Sequence, residues 1–436
     1  MKRLLLSLFV VLGLVIAACG PQTTPTAPPP TQPPATQPPA TQAPTQPPAP
    51  TTPPEKVVTI GFTASLTGKL NVESTRQNNG LKLWMDQVNA AGGIKLADGT
   101  VVKFQAKFYD DESNADRVQE LYTKLITEDK ADFLISPYSS GLADAAAVIA
   151  QQYEKIMITT GAASEGTYQK GYTLVYQTYT PAGRYLTGAV DLLASLDPNV
   201  KKIAIVHEND KFSTSVADAV KAYAESKGYE IVLYEGYDSG TTDFAPIVTK
   251  IESTQPEVVL GGGHFADGQQ FAKALYEKNL AVKMIALLVA PPEPKFAEIG
   301  EAALGVIGPS QWEPLAAFKP DYGPTGEEFV KAYQAAFGEE PSYHAAGGYA
   351  AGLILQKAIE TAGSLDTAAI KQALDNMDMT IFFGRIKFDT SAEQHGLQIG
   401  HEMVYIQWQK DASGNLVKQV VWPAEGATAK ALYPIR

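Results

Sequence analysis

The chain has 436 residues, of which 45% are hydrophobic, and its formal net charge is −12 at pH 7. An acidic balance of this size argues against a nucleic acid or an anionic lipid surface as partner. The single cysteine, Cys19, excludes an intramolecular disulfide, so the fold must be stable through burial alone.

The N-terminus has the pattern of a cleaved secretion signal. Lys2-Arg3 precedes an apolar run from Leu4 to Ala18, and small residues stand directly before Cys19. The run is too short to span a bilayer comfortably. Ile16-Ala17-Ala18-Cys19 resembles the lipobox of bacterial lipoproteins, whose cysteine receives diacylglycerol. We therefore predict a lipoprotein signal peptide over 1–19, with Cys19 as the site of a lipid anchor.

A low-complexity segment follows the predicted cleavage site. Residues 20–54 contain only Pro, Thr, Gln, Ala and Gly, a composition that buries no core and favours extended polyproline II. At roughly 3.1 Å per residue, such a segment reaches on the order of 100 Å when fully extended. We predict a disordered stalk over 20–56.

From Val57 onward, apolar strand-like runs alternate with amphipathic helical patterns, which is typical of βαβ units and parallel sheets. The first series has these predicted strands and helices: strands Val57–Thr63, Val101–Tyr109, Asp132–Ile135 and Ile156–Thr159, and helices Asn79–Asn89, Asn114–Glu128 and Leu142–Tyr153. The second has strands Lys202–Val206, Glu230–Tyr234, Glu257–Leu260 and Met284–Leu287, and helices Phe212–Lys227, Asp243–Glu252 and Gly268–Lys278. Two successive series in a chain of this length predict two lobes.

The last third contains too few strands for a third sheet. Its predicted elements are helices Thr325–Phe337, Ala345–Glu360 and Thr367–Leu374, and strands Ile381–Phe388 and Val404–Gln409. We expect this material to complete the two lobes, which requires the chain to cross between them more than once.

Six short motifs resemble, in order and spacing, the periplasmic leucine/isoleucine/valine-binding protein family. They are Ser65-Leu66-Thr67-Gly68, Asn89-Ala90-Ala91-Gly92-Gly93-Ile94, Tyr109-Asp110-Asp111, Ser136-Pro137-Tyr138-Ser139-Ser140, Thr160-Gly161-Ala162-Ala163-Ser164 and Gly348-Tyr349-Ala350-Ala351. The resemblance implies an α/β fold of type I periplasmic-binding-protein architecture, in which two Rossmann-like lobes with parallel central sheets are joined by a three-crossing hinge. It also implies that the protein captures a small solute between the lobes for the permease of an ABC importer, as a monomer without cofactor or metal.

The resemblance places the three crossings near Tyr179-Thr180-Pro181, Ile307-Gly308-Pro309-Ser310 and Phe383-Gly384-Arg385. The first lobe would then hold 57–179 and 312–383. The second lobe would hold 180–311 and 384–436.

On the first lobe, the ligand-binding candidates are Ser140, Ala162 and Ser164. Each follows a predicted strand, and ligands of open parallel sheets sit at the carboxyl ends of strands, beside helix N-termini. Ser140 is also a natural helix N-cap, and the segment containing Ala162 and Ser164 also reads as an ordinary turn. The two roles of Ser140 are compatible.

On the second lobe, Phe212 occupies the family's aromatic position, and His264 follows Gly261-Gly262-Gly263 at another ligand-facing position. Trp312, just past the second crossing, offers a large rigid face to the cleft or to core packing.

The chain departs from the family at one position. Amino-acid binders of the family place an acidic residue where this chain has Leu288, and Glu293 lies too far along to replace it. Because a buried ammonium without a partner is costly, an α-amino acid is in doubt, and a carboxylate, an amide or another small polar solute stays open.

An enzyme is not expected. No nucleophile elbow, phosphate-binding loop or His-Glu-x-x-His motif occurs, and the five histidines have no metal-ligand spacing. The remaining alternative is a tethered sensor that presents bound solute to a receptor, since the same fold and cleft serve both roles.

Overall fold

The computed structural model describes residues 20–28, 53–316 and 318–435. The predicted signal peptide, Cys19 and most of the predicted stalk lie outside these residues. Thr52–Arg436 forms one compact unit. None of the helices in the described part combines the length and apolar character that a membrane crossing requires.

The strands of the described chain, in order, are β1 Glu55–Ala64, β2 Ile94–Lys95, β3 Val101–Asp110, β4 Phe133–Ile135, β5 Met157–Thr159, β6 Val175–Gln177, β7 Lys202–Glu208, β8 Glu230–Tyr237, β9 Val258–Gly262, β10 Met284–Leu287, β11 Ile307–Ser310, β12 Asp378–Ile381, β13 Gly384–Lys387, β14 Val404–Lys410 and β15 Leu416–Trp422. The α-helices are α1 Asn71–Ala90, α2 Ala115–Thr127, α3 Ser140–Gln152, α4 Thr187–Leu196, α5 Lys211–Ser226, α6 Ala245–Thr254, α7 Phe265–Glu277, α8 Gly326–Phe337, α9 Tyr343–Ala362 and α10 Thr367–Asp375.

The strands form two larger sheets and a hairpin. The first sheet has the order β2-β3-β1-β4-β5-β6, and the second has the order β15-β14-β11-β10-β9-β7-β8. Pairing is parallel except at β2 in the first sheet and at β14 and β15 in the second. The predicted α/β fold with two mostly parallel sheets is confirmed, and each sheet is the centre of one lobe.

Local sequence signals set several helix starts. The Asn114 side chain accepts hydrogen bonds from the backbone N–H groups of Asp116 and Arg117 at the start of α2. Thr325 and Glu328 form a capping box at the start of α8. These are the side chains that satisfy the free N–H groups of a first helical turn.

Helix α9 returns to the first lobe and packs directly on α1. Two glycines make this close approach feasible: a Cβ on Gly80 would lie 1.8 Å from the Ala345 carbonyl oxygen, and one on Gly348 would lie 1.9 Å from that of Gln77. The Gly348-Tyr349-Ala350-Ala351 motif is therefore a helix-packing motif, because only residues without a side chain allow the two backbones to meet.

The segment predicted as one strand, Ile381–Phe388, is instead the β12–β13 hairpin with its turn at Phe382-Phe383. Ile386 and Phe388 then pack in the core of the first lobe, and the Gln177 N–H donates to the Gly396 carbonyl oxygen at 2.8 Å. The chain reaches the second sheet only at β14. These contacts favour a third crossing later than the predicted Phe383-Gly384-Arg385, and the crossings and lobe bounds stay predictions.

Candidate functional site

A small cavity lies between the two lobes, at the carboxyl ends of strands from both sheets. Its lining is Tyr138, Gly161, Ala163, Tyr179, Tyr185, Phe212, His264, Val289 and Tyr343, around a narrow space of about 10 Å³, which is room for about one water molecule. Tyr138 follows β4, Gly161 follows β5, His264 follows β9 and Val289 follows β10. This is the edge at which open α/β sheets bind ligands, and here two such edges meet.

Aromatic rings form most of the cavity wall. The Tyr185 and Phe212 rings meet edge to face with centroids 5.0 Å apart, and Phe212 lies 5.8 Å from the His264 ring. Tyr179 and Tyr343 also meet edge to face, at 5.8 Å. Rings in this arrangement give a rigid wall with apolar faces and polar hydroxyl tips.

Phe212 and His264, the two candidates of the second lobe, both line the cavity. His264 is held there by two hydrogen bonds. Its Nδ1 lies 2.8 Å from the Tyr138 hydroxyl, and its Nε2 lies 2.7 Å from Oδ2 of Asp210. Burial lowers the pKa of His264, but the charge and hydrogen bond of Asp210, with Glu208 and Glu73 nearby, raise the pKa to about 9. Burial acts to raise the pKa of Asp210, yet the charge of His264 holds it at about 2. The pair is therefore an imidazolium and a carboxylate at neutral pH.

Ser140 and Ser164 lie beside the cavity but do not line it. The Ser140 Oγ accepts hydrogen bonds from the backbone N–H groups of Ala163 and Ser164, at 3.0 and 3.1 Å. Ser139, not Ser140, occupies the N-cap position of α3. The Ser164 Oγ lies 3.0 Å from that of Ser215 on α5 of the second lobe. Both serines thus fix the loop that supplies the cavity wall, and their contact with ligand stays a prediction.

Ala162 lies between two residues that line the cavity. The Ala162 carbonyl oxygen accepts a hydrogen bond from Nε2 of Gln177 at 3.0 Å, and Ala162 does not line the cavity. Its two neighbours, Gly161 and Ala163, do. Ligand binding by Ala162 itself stays a prediction.

Trp312 belongs to the core of the first lobe. Its ring packs edge to face on Phe329 and Phe382, with centroids 5.5 and 5.7 Å apart, and its side chain is almost fully buried. It does not line the cavity. Of the two roles open to Trp312 from the sequence, the packing contacts favour the structural one.

Sequence reasoning missed the four cavity tyrosines and Val289. Tyr138 and Tyr179 stand inside segments that had been singled out for other residues, and Tyr343 begins a helix. No signal marked Tyr185. Leu288, at the position where an acid was sought, packs in the core of the second lobe, and the next residue, Val289, faces the cavity.

Glu293 does not supply a carboxylate to the cavity, because its side chain pairs with Arg76 and His344. Its carboxylate is fully buried, 3.0 Å from Nε of Arg76 and 2.5 Å from Nδ1 of His344. Burial acts to raise the pKa of Glu293, while the His344 hydrogen bond and the charges of His344 and Arg76 lower it, with a net decrease. Glu293 of the second lobe is thus inserted between two groups of the first lobe.

Two further polar contacts join the lobes next to the cavity. Lys69 pairs with Glu208, and the Phe265 N–H donates to Oε1 of Glu73 at 2.9 Å. Such buried contacts exist only when the lobes are together. The described structure is therefore a closed form.

Among the described residues, Glu208, Asp210 and His264 place one ligand atom each within 4.8 Å of one another. Both nitrogens of His264 are already hydrogen-bonded, and Lys69 pairs with Glu208. His264 and Lys69 therefore supply the positive charge that pairs with the two carboxylates of this cluster.

Solved structures show which class of protein this arrangement defines. The branched-chain amino acid transporter substrate-binding protein LivJ of Streptococcus pneumoniae, in complex with isoleucine, superposes with a TM-score of 0.70 at 22% identity, over 84% of this chain and 100% of that one. A solute-binding protein of an ABC transporter from R. palustris, in complex with 4-hydroxybenzoate, gives 0.69 at 19% identity, over 83% and 95%. The fold is that of a type I periplasmic binding protein.

The family follows from the sequence match. The family model described as "Periplasmic binding protein" matches residues 57–414, so this chain belongs to the periplasmic binding protein family. Its relatives include Leu/Ile/Val-binding protein homolog 7 of Brucella melitensis, 24% identical over 88% of this chain and 96% of that protein. The leucine-, isoleucine-, valine-, threonine-, and alanine-binding protein of Pseudomonas aeruginosa is 22% identical over 83% and 92%. The family is one of extracytoplasmic solute-binding proteins, not of enzymes.

Proposed function

We propose that this protein captures a small organic solute between its two lobes and delivers it to the permease of an ABC importer. The observation that carries this proposal is the cavity, whose wall comes from the ends of strands in both sheets. Phe212, His264 and Val289 contribute from the second lobe, and Tyr138 and Tyr343 from the first. A ligand in this position contacts both lobes and stabilises their closed arrangement.

The names of the relatives and of the similar solved structures indicate a range of solutes. They include binders of leucine, isoleucine and valine, and structures with isoleucine or 4-hydroxybenzoate bound. A branched-chain or related amino acid, a carboxylate or an amide is consistent with this range. The space of about 10 Å³ in the closed form holds about one water molecule, so any of these solutes must widen the cavity when it binds.

The proposal includes a tethered monomer. The sequence before Cys19 supports diacylglycerol attachment there, and the Pro/Thr/Gln-rich segment supports a stalk that keeps the lobes away from the membrane surface. A solute-loaded, closed protein then presents faces of both lobes to the permease.

Closure is the step that couples binding to delivery. A ligand shifts the equilibrium between open and closed forms only by its difference in affinity for the two. Contacts from both sides of the cavity supply that difference, because the open form offers one side at a time.

A thermal-shift screen of the soluble domain, residues 53–436, tests the proposal with amino acids, aromatic acids, oxo acids and short amides. Binding to the folded state raises the unfolding midpoint in a concentration-dependent way. We expect one chemical class to do so, and Phe212→Ala to abolish the shift. A shift that persists unchanged in Phe212→Ala would place binding outside the cavity.

A further inference from the structure

The cavity contains no acidic side chain that an ammonium group could pair with. Its lining consists of five aromatic residues, His264, Val289, Gly161 and Ala163, as far as the described residues show. A charge that is taken out of water without a partner costs several kcal/mol. An α-ammonium group would therefore enter this cavity at a penalty.

His264, the charged side chain of the described wall, carries the same sign as an ammonium. His264 holds its proton through Asp210 and Tyr138, and the Asp210 carboxylate also accepts from the Ser213 N–H at 2.7 Å. The Asp210 carboxylate is thus already used twice within the protein.

Hydrogen-bond donors, by contrast, are available for an anion. The Tyr185 hydroxyl accepts from Nε2 of Gln311 at 2.8 Å, which leaves its own proton free to donate. Tyr343 belongs to the same wall. Both phenols stay neutral because burial raises the pKa of each, so they are donors at physiological pH.

Helix N-termini add to this preference. Helix α3 begins at Ser140 and has no side-chain hydrogen bond capping its first turn, whereas the Glu293 carboxylate already lies against the start of α9, 2.5 Å from Nδ1 of His344. Helices α5 and α7 begin beside Phe212 and His264, but acidic side chains already occupy their N-termini. Free N–H groups and the positive end of a helix favour an anion, so of these four helices it is α3 that offers an N-terminus without an acidic partner.

We infer that the solute is a small carboxylic acid without an ammonium group, and that Val289 determines this selectivity. The inference rests on the proposed capture function and narrows it. Val289 stands at the end of β10 with φ of +50°, a left-handed conformation that is unusual for a β-branched residue. An acidic side chain at this position would face the cavity and pair with an ammonium. Valine leaves only an apolar surface there.

Glu73 is a competing partner for an ammonium. It is fully buried, its Oε2 has no hydrogen-bond partner among the described residues, and its Oε1 lies 3.9 Å from Nδ1 of His264. It does not line the cavity, and the His264 imidazolium faces it. A Glu73→Gln variant, which keeps the acceptor for the Phe265 N–H, separates the two cases.

The test uses acids that differ at a single group. Binding is measured by calorimetry for leucine, 2-hydroxy-4-methylpentanoate and 4-methylpentanoate, and for phenylglycine, mandelate and phenylacetate. We expect an acid without the ammonium to bind at least about tenfold more tightly than its amino acid, since each tenfold step corresponds to 1.4 kcal/mol. Glu73→Gln should leave that ratio unchanged.

Val289→Asp is the gain-of-function variant, and Val289→Asn is its matched control, because both residues tolerate a left-handed backbone. Only the aspartate should shift the ratio towards the amino acid, by about tenfold or more. Tighter binding of the amino acids by the wild type, or loss of amino acid binding in Glu73→Gln, would overturn the inference and leave the proposed function intact. Binding of none of the six acids would also overturn it, while another solute that closes the lobes would still support capture.

Discussion

Tyr138 of the first lobe and His264 of the second lobe are joined across the cavity by a 2.8 Å contact between the tyrosine hydroxyl and Nδ1. Because both nitrogens of the imidazolium carry protons, the tyrosine oxygen accepts this hydrogen bond and His264 also donates to Asp210. The charged His264 side chain of the cavity wall thus contacts both Asp210, at the N-terminus of α5, and Tyr138 of the opposite lobe.

This pair predicts how stability depends on pH. The pKa of His264 is raised from about 6.5 to about 9, so its contribution is complete below pH 6.5 and is lost as the pH rises towards 9 and beyond. The pKa of Asp210 is lowered to about 2, so its contribution is lost only in strong acid. We expect the thermal unfolding midpoint to fall between pH 7 and 10 in the wild type. Asp210→Asn should reduce that slope, and an equal slope in the variant would contradict the assignment.

Ser140→Ala should lower both stability and affinity. The Ala163 and Ser164 N–H groups lose their shared acceptor, which costs about 1–3 kcal/mol in the free energy of unfolding, and the cavity wall at Ala163 loses its support. Ser164→Ala should affect affinity more than stability, because its contact with Ser215 joins the two lobes. Urea titration and calorimetry measure the two quantities. Unchanged values for Ser140→Ala would show that its hydrogen bonds contribute little.

Trp312→Ala and Phe212→Ala should separate packing from binding. Loss of the Trp312 ring from the core costs about 3–5 kcal/mol in the free energy of unfolding. Its milder counterpart, Trp312→Phe, should keep full affinity for ligand. Phe212→Ala should lower affinity instead, since its ring faces the cavity. Weakened binding in Trp312→Phe without loss of stability would instead indicate that Trp312 contributes to ligand binding.

The anchor is tested by Cys19→Ala. The variant precursor should lack lipid label and move from the membrane to the soluble fraction. Deletion of part of residues 20–54 should leave the affinity of the lobes unchanged, because a solvated tether adds no contact to the cavity. Membrane retention of the wild type without lipid label would refute the anchor.

Much of the fold was predictable because buried parallel strands and amphipathic helices carry strong local patterns. The start and end of β10 match the prediction at both residues, and α5 differs by one residue at each end. Short strands such as β6 and the antiparallel β15 were missed, since three residues or a half-exposed edge carry little periodicity. The hairpin of β12 and β13 reads as one strand because Phe382 and Phe383 make its turn apolar.

The site was harder to predict because it depends on which side chains converge from distant segments. Phe212 and His264 were predicted from their resemblance to ligand-facing positions of the family, and both line the cavity. Tyr343 was not predicted, because its ring neighbour Tyr179 is 164 residues away in sequence. Tyr185 was not predicted either, because the partner of its hydroxyl is Gln311, next to the second predicted crossing. The one-residue ambiguity around Ala162 reflects the alternation of side chains in an extended loop, which only the three-dimensional register resolves.

Capture between two lobes is tested most directly by small-angle X-ray scattering of residues 53–436. The radius of gyration is measured without ligand and with a saturating acid identified by calorimetry, for the wild type and for Phe212→Ala. We expect a smaller radius for the ligand-bound wild type and no change for the variant, because the closed form depends on contacts from both sides of the cavity. An unchanged radius in a wild-type protein that is shown to be saturated with ligand would contradict it.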